Sequence, residues 1–226
     1  MPKPEKPPIY LEYILCLTAF AAGSVDVISF VRLGGIFASA MTGNLAFLGI
    51  YVARLSFFSA IGSATGLAGF IIGSASGHIF TRGKSRPQSL NILLGVEFLL
   101  LLGVAFLWFP VGHKNGSLTA YALISMLSIS MGFQSIIGKK INLSNIPTVV
   151  FTSTLTNLVI GLSDALAAER FMLPQDTRRQ ATSLCIYFGG ALVAGIAAYL
   201  KVWVLVLLPV GAIALALVVK LLQRAE

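Results

Sequence analysis

Charge is scarce in this chain. Of its 226 residues, 11% are Asp, Glu, Lys or Arg, less than half the roughly 25% of soluble domains. A water-soluble protein of 24.0 kDa must cover its surface with charge. A soluble enzyme, a nucleic-acid reader and a disordered chain are therefore excluded. Acids are rarer still, eight Asp+Glu against 16 Lys+Arg. Cysteine is limited to Cys16 and Cys185, both inside apolar runs, which builds no disulfide framework. His78 and His113 form no metal-ligand spacing with them, so neither a metal nor another cofactor is expected. The chain also lacks a Gly-x-x-x-x-Gly-Lys-Ser/Thr loop, a dinucleotide fingerprint, a His-Glu-x-x-His and a Gly-x-Ser-x-Gly. Those absences argue against ATP-driven transport by this chain alone, and no nucleophile–base pair points to an enzyme.

What the chain has in abundance is apolar surface, with 57% hydrophobic residues and a mean hydropathy of +0.89. About 20 apolar residues carry a helix across a ~30 Å hydrocarbon core. Eight stretches approach that length, 11–31, 36–54, 57–80, 90–110, 118–138, 147–166, 181–200 and 202–222, the last two divided by a corner near Lys201. The head, Met1 to Pro8, with four prolines and two lysines, reads as a short disordered tail. The run from Leu11 lacks a convincing peptidase site and reads as a retained membrane segment.

The net charge of +8 falls in short segments between the apolar runs, the pattern of loops facing an anionic leaflet. If all eight stretches cross, nine basic residues lie inside and seven outside, which is no bias. If 36–54 and 147–166 enter and leave on one side, the inner face gains Arg82, Lys84, Arg86, Lys139 and Lys140. It joins them to Lys3, Lys6, Arg170, Arg178, Arg179, Lys220 and Arg224, a split of twelve to four. The expected architecture is an all-α polytopic membrane protein with six crossings and two re-entrant or broken helices, eight full spans being the alternative. Both termini then face the cytoplasm.

The same two segments mark an internal repeat. Gly23-Ser-Val-Asp26 followed by Thr42-Gly43-Asn44 in the first half parallels Gly132-Phe-Gln134-Ser135 followed by Thr156-Asn157-Leu158 in the second. The offset is 109 residues at the glycines and 114 at the threonines. One membrane domain thus divides into a head over 1–10, a first repeat over 11–110 and a second over 118–222. Three crossings per half, an odd number, make the halves inverted, as in many secondary transporters.

At these residues the chain resembles the YoaK family of bacterial multi-pass inner-membrane proteins, defined by a domain of unknown function. The resemblance rests on Gly23-x-x-Asp26, Leu33-Gly34-Gly35-x-Phe37, Met41-Thr42-Gly43-Asn44, Glu97 and Met131-Gly132-Phe133-Gln134. It covers nearly the whole chain after the head. The second half departs from it, with Thr156-Asn157 where a second Thr-Gly is expected. The resemblance implies a bacterial inner-membrane location without an assigned activity.

Candidate binding residues follow from cost. Asp26 lies about 22 Å along the first helix from Leu11, where an Asp costs roughly 2.5–3.5 kcal/mol at a helix centre. Glu97 is a second carboxyl in an apolar run, and no Lys or Arg sits at comparable depth. Each either binds a proton or mobile cation, or is a neutral or capping group. Thr42, Gly43 and Asn44 read as the start of a half-helix, with Ser39 or Thr42 as its cap and an N-terminus suited to an anion. Gln134, Thr152, Thr154, Thr156 and Asn157 are the matching polar set in the second half. The expectation is a transporter or channel with a small-solute or ion site where the two broken helices meet, against a non-transporting scaffold or accessory subunit. Gly62, Gly66, Gly69, Gly73 and Gly77 form a smooth helix face, for packing within the chain or in a homo-oligomer.

Overall fold

A computed structural model of the chain describes residues 8–108, 116–141, 151–168 and 172–223. These residues form eight α-helices and no strand: α1 (Ile9–Arg32), α2 (Met41–Ala53), α3 (Phe57–Thr81), α4 (Arg86–Trp108), α5 (Leu118–Ile141), α6 (Phe151–Ala167), α7 (Gln175–Tyr199) and α8 (Leu207–Leu222). A 3₁₀ turn, Trp203–Val206, leads into α8. Six helices are long and apolar enough to cross a membrane, α1, α3, α4, α5, α7 and the run Trp203–Leu222. With 13 residues, α2 spans only about 20 Å, short of the ~30 Å core.

The chain enters α2 through an irregular segment. Gly34 and Gly35 follow α1 with φ of 90° and 77°, left-handed angles that a β-carbon disfavours. They turn the chain back into the bundle, where 36–40 runs unwound before α2 carries it out again. The expected corner near Lys201 is present too, with φ of 56° at that residue.

Cross-helix bonds fix the directions. Glu12 meets Arg179 near the starts of α1 and α7, Ser24 donates to the Gly190 carbonyl midway, and Arg32 donates to the Ala198 carbonyl at their ends. So α1 and α7 are parallel. By the same evidence α3 and α5 are parallel: Tyr121 donates to the Phe58 carbonyl, Ser74 to that of Gly132, and Lys140 to that of Thr81. The core orders the remaining pairs. Leu11, Ile14 and Leu15 pack with Leu90–Leu94, Ile136–Ile141 and Ala216. Val25 and Ile28 belong with Leu101–Trp108, Leu123–Leu127 and Ile213. The six long helices therefore alternate in direction, and both α2 and α6 lie in connections that leave and rejoin the bundle at one end.

The repeat is visible in the packing. The most extensive interfaces are α1 with α7 and α3 with α5, each joining the first helix of one half to the third helix of the other. A methyl on Gly23 would overlap the Tyr187 carbonyl and press on the Ala191 nitrogen; one on Gly132 would overlap the Phe70 carbonyl and the Ser74 nitrogen. Gly190 sits likewise on the Phe20 carbonyl and Gly73 on that of Ile129. In every case first-helix residues differ by 109 and third-helix residues by 117. Because the equivalent α1 and α5 run in opposite directions, the halves are inverted. Lipid tails offer helices no hydrophobic reason to associate, so backbone approach over small residues is the main source of cohesion. The glycine face of α3 is consumed in this way: Gly62 and Gly66 meet Ile36 and Asn44, and Gly69, Gly73 and Gly77 meet α5. Of the two roles expected for this face, the structure shows packing within the chain, where these glycines are buried.

Basic residues separate by end. Arg82, Lys84, Arg86, Lys139, Lys140, Arg178, Arg179 and Lys220 cluster where α1 begins, whereas Arg32, Arg54 and Lys201 lie at the opposite end. Lys3, Lys6, Lys114, Arg170 and Arg224 fall outside the described residues, as do His113, most of the proline-rich head and 147–150 of the second broken segment.

Candidate functional site

The most elaborate polar junction centres on Asp26. Its side chain is only 2% exposed, six residues before the end of α1, at the depth that the inward turn reaches. Oδ1 accepts from the backbone N–H of Ala38 at 3.0 Å and of Ser39 at 2.7 Å. Oδ2 accepts from the Ser39 hydroxyl at 2.5 Å and the Tyr187 hydroxyl at 2.8 Å. Four donors, three from the turn and one from α7, thus converge on one carboxyl, and they compensate its burial. A buried loop must satisfy its backbone polar groups, and Asp26 does this for the turn into α2.

Asn44 completes the fastening. Fully buried, it accepts from the Phe37 N–H at 2.9 Å and donates to the Phe37 carbonyl at 2.6 Å. Such an amide satisfies both backbone groups of one unwound residue. Gly66 leaves room for it, since a methyl there would stand 3.0 Å from Nδ2. Phe30, Phe37, Phe47 and Tyr51 stack beside the turn, with centroids 4.7–6.4 Å apart.

The expected cap is different in detail. The N-cap of α2 is Ala40, with no side-chain cap. Ser39 turns its hydroxyl to Asp26, Thr42 is exposed, and Gly43 leaves space for the Phe37 ring. The two N–H groups leading into α2 are thus engaged by a carboxylate of the chain itself, which withdraws this turn as an argument for an anionic ligand.

In the second half the counterparts diverge. Positions equivalent to Asp26 and Tyr187 hold Ser135 and Phe70, by the offsets of 109 and 117, and the position equivalent to Asn44 holds Leu158. On α6, Thr154 is buried while Thr152, Thr156 and Asn157 are exposed, Thr156 donating to the Thr152 carbonyl at 3.1 Å. The first broken helix, α2, packs on α3 at one end of the bundle, and α6 packs on α7 at the other. The structure therefore brings Asp26, Ser39 and Asn44 together around one turn. It does not gather Asp26 with Gln134 and the threonines of α6.

Gln134 and Glu97 belong to a separate layer. The apolar core is two clusters, and where they meet the helices carry buried polar residues: Thr18 on α1, Glu97 on α4, Ser130 and Gln134 on α5, all fully buried. Gln134 donates to the Thr18 carbonyl at 2.8 Å, joining the halves. Among the described residues, both carboxyl oxygens of Glu97 lack a hydrogen-bond partner.

Clefts open at both ends. At the basic end one of about 690 Å³ lies between α1 and α7, lined by Leu15, Cys16, Arg178, Arg179, Thr182 and Ser183, with Glu12 and Arg179 paired at its edge. Its repeat equivalent at the other end, about 120 Å³, is lined by Leu33, Ile36, Phe58, Gly62 and Tyr121. No cluster of three or more metal-ligating side chains occurs among the described residues.

Sequence reasoning missed Tyr187. It lies 161 residues from Asp26, and a tyrosine in an apolar helix gives no sign of its partner. A pairing of the repeat's third helix with the first helix of the other half would have placed it opposite Asp26.

Comparison with known proteins agrees with this architecture. The family model described as "Protein of unknown function (DUF1275)" matches residues 14–219. UPF0700 transmembrane protein YoaK of Bacillus subtilis (strain 168) is 30% identical over 212 residues, covering 89% of this chain and 92% of that protein. No solved structure matches. With that family match across nearly all of its membrane helices, the chain belongs to the DUF1275 family of multi-pass transmembrane proteins.

Proposed function

We propose that this protein is a transporter or channel for a small solute or ion, and not an enzyme. The observation that carries the reading is the inverted duplication, in which one glycine seam is built twice in opposite orientations. Inverted repeats with interrupted helices allow one half to rock against the other around a central path. The two clefts, related by the repeat and opening at opposite ends, support the same reading. On the basic bias of one end we assign that end to the cytoplasm of a bacterial inner membrane, with both termini on that side.

The alternative is a non-transporting scaffold, favoured by the complete hydrogen bonding of Asp26. Purified protein in proteoliposomes decides between them, tested with a panel of small anions, cations and zwitterions, with and without a pH gradient. Transport predicts saturable flux of at least one class, lost when Gly23 or Gly132 is enlarged to Leu. No flux from well-folded protein across the panel overturns it.

A further inference from the structure

Glu97 is the buried titratable group that the architecture leaves unexplained. It occupies the core seam of α4, between Leu94 and Leu101, with no exposed surface. Neither oxygen has a hydrogen-bond partner among the described residues. A carboxylate taken from water into such a place is costly unless paired, and hydrogen bonding is the usual condition of buried polar groups. Structural carboxyls behave as Asp26 does, gathering donors. Glu97 gathers none.

The surroundings narrow what it holds. On α5, facing it, the polar residues at its level are the neutral Ser128, Ser130 and Gln134, and the nearest charges are Lys139 and Lys140 toward the basic end. On α8 the one charged residue is Lys220, beyond Ala216 and 5.5 Å over the Tyr10 ring. On α3 the nearest titratable group is His78 in the last turn. On α1 Glu12 and Asp26 lie about two turns to either side of Thr18, one bound to Arg179 and the other within its four donors. The adjacent turn Trp203–Val206 is uncharged. A metal cation requires several oxygens around it. Here Thr18 donates its hydroxyl to the Ile14 and Leu15 carbonyls and Ser130 to that of Leu127, so these two hydroxyls are directed toward their own backbone. A proton needs one oxygen only. The cleft at the basic end reaches Leu15 and Cys16, within one turn of Thr18, which makes it the nearest opening to the layer along α1.

We propose that Glu97 is a proton-carrying site at the centre of the helix bundle, separate from the Asp26 junction, and that its proton exchanges with the solution. This inference stands apart from the transport reading and is testable without flux. Infrared spectra of purified protein in nanodiscs, stepped from acid to alkaline pH, should show a protonated-carboxyl C=O band that disappears as pH rises. The band should move when glutamate alone is supplied with ¹³C, be absent from Glu97→Gln, and persist in Asp26→Asn. Isotope labelling keeps the test valid should Glu97→Gln fold poorly. A band that survives across the range without titrating overturns the exchange. The absence of any glutamate band, or its persistence in folded Glu97→Gln, overturns the site.

Discussion

Replacing Asp26 by leucine or by asparagine should separate two kinds of loss. Leucine removes the acceptor for four donors. The hydroxyls of Ser39 and Tyr187 rotate toward other acceptors, whereas the N–H groups of Ala38 and Ser39 are fixed by the turn. An orphaned buried donor costs about 1–3 kcal/mol, so the two backbone groups alone give about 2–6 kcal/mol. Asparagine keeps Oδ1 for both N–H groups, and its Nδ2 donates to the two hydroxyl oxygens, which act equally well as acceptors. The amide gives up charge assistance but also the cost of burying a charge, and the net loss should stay within about 2 kcal/mol. Melting of the purified protein in detergent, followed by fluorescence and aggregation, measures both. Protease sensitivity between Ala53 and Phe57 reports release of the re-entrant segment, expected for leucine alone. Equal losses for the two variants, or a leucine variant that melts like the parent, would refute the fastening role. If the protein transports, Asp26→Asn should keep its flux, since the residue acts here by holding a turn.

Further expectations use the same measurements. Gly23→Ala and Gly132→Ala should each cost about 1–3 kcal/mol by overpacking, because each methyl meets a backbone carbonyl of the facing helix. Similar losses at the two sites would reflect the repeat, while Gly49→Ala, with nothing within 4 Å, should be neutral. Asn44→Leu should cost about 2 kcal/mol or more, since the N–H and C=O of Phe37 both lose their partner. Glu12→Gln should change stability by less than about 1 kcal/mol, with the difference vanishing in high salt, because its bond to Arg179 is 41% exposed on the glutamate side.

The sequence alone carried the class and most of the architecture, because both follow from bulk hydropathy and loop charge. Too little charge to face water, eight long apolar runs and a basic bias that works only when 36–54 and 147–166 do not cross are properties of composition and order. The repeat was legible too, through Gly23 and Gly132. What those glycines touch was not. That each first helix packs on the third helix of the opposite half, and so brings Tyr187 to Asp26, depends on how the inverted halves interlock, which no local pattern encodes. The sequence left Asp26 and Glu97 as two similar buried carboxyls. Tertiary structure separated them by supplying four donors to one from residues up to 161 positions away and none to the other. A carboxyl's chemistry is set by the groups around it, and in a helical membrane protein those groups come from neighbouring helices.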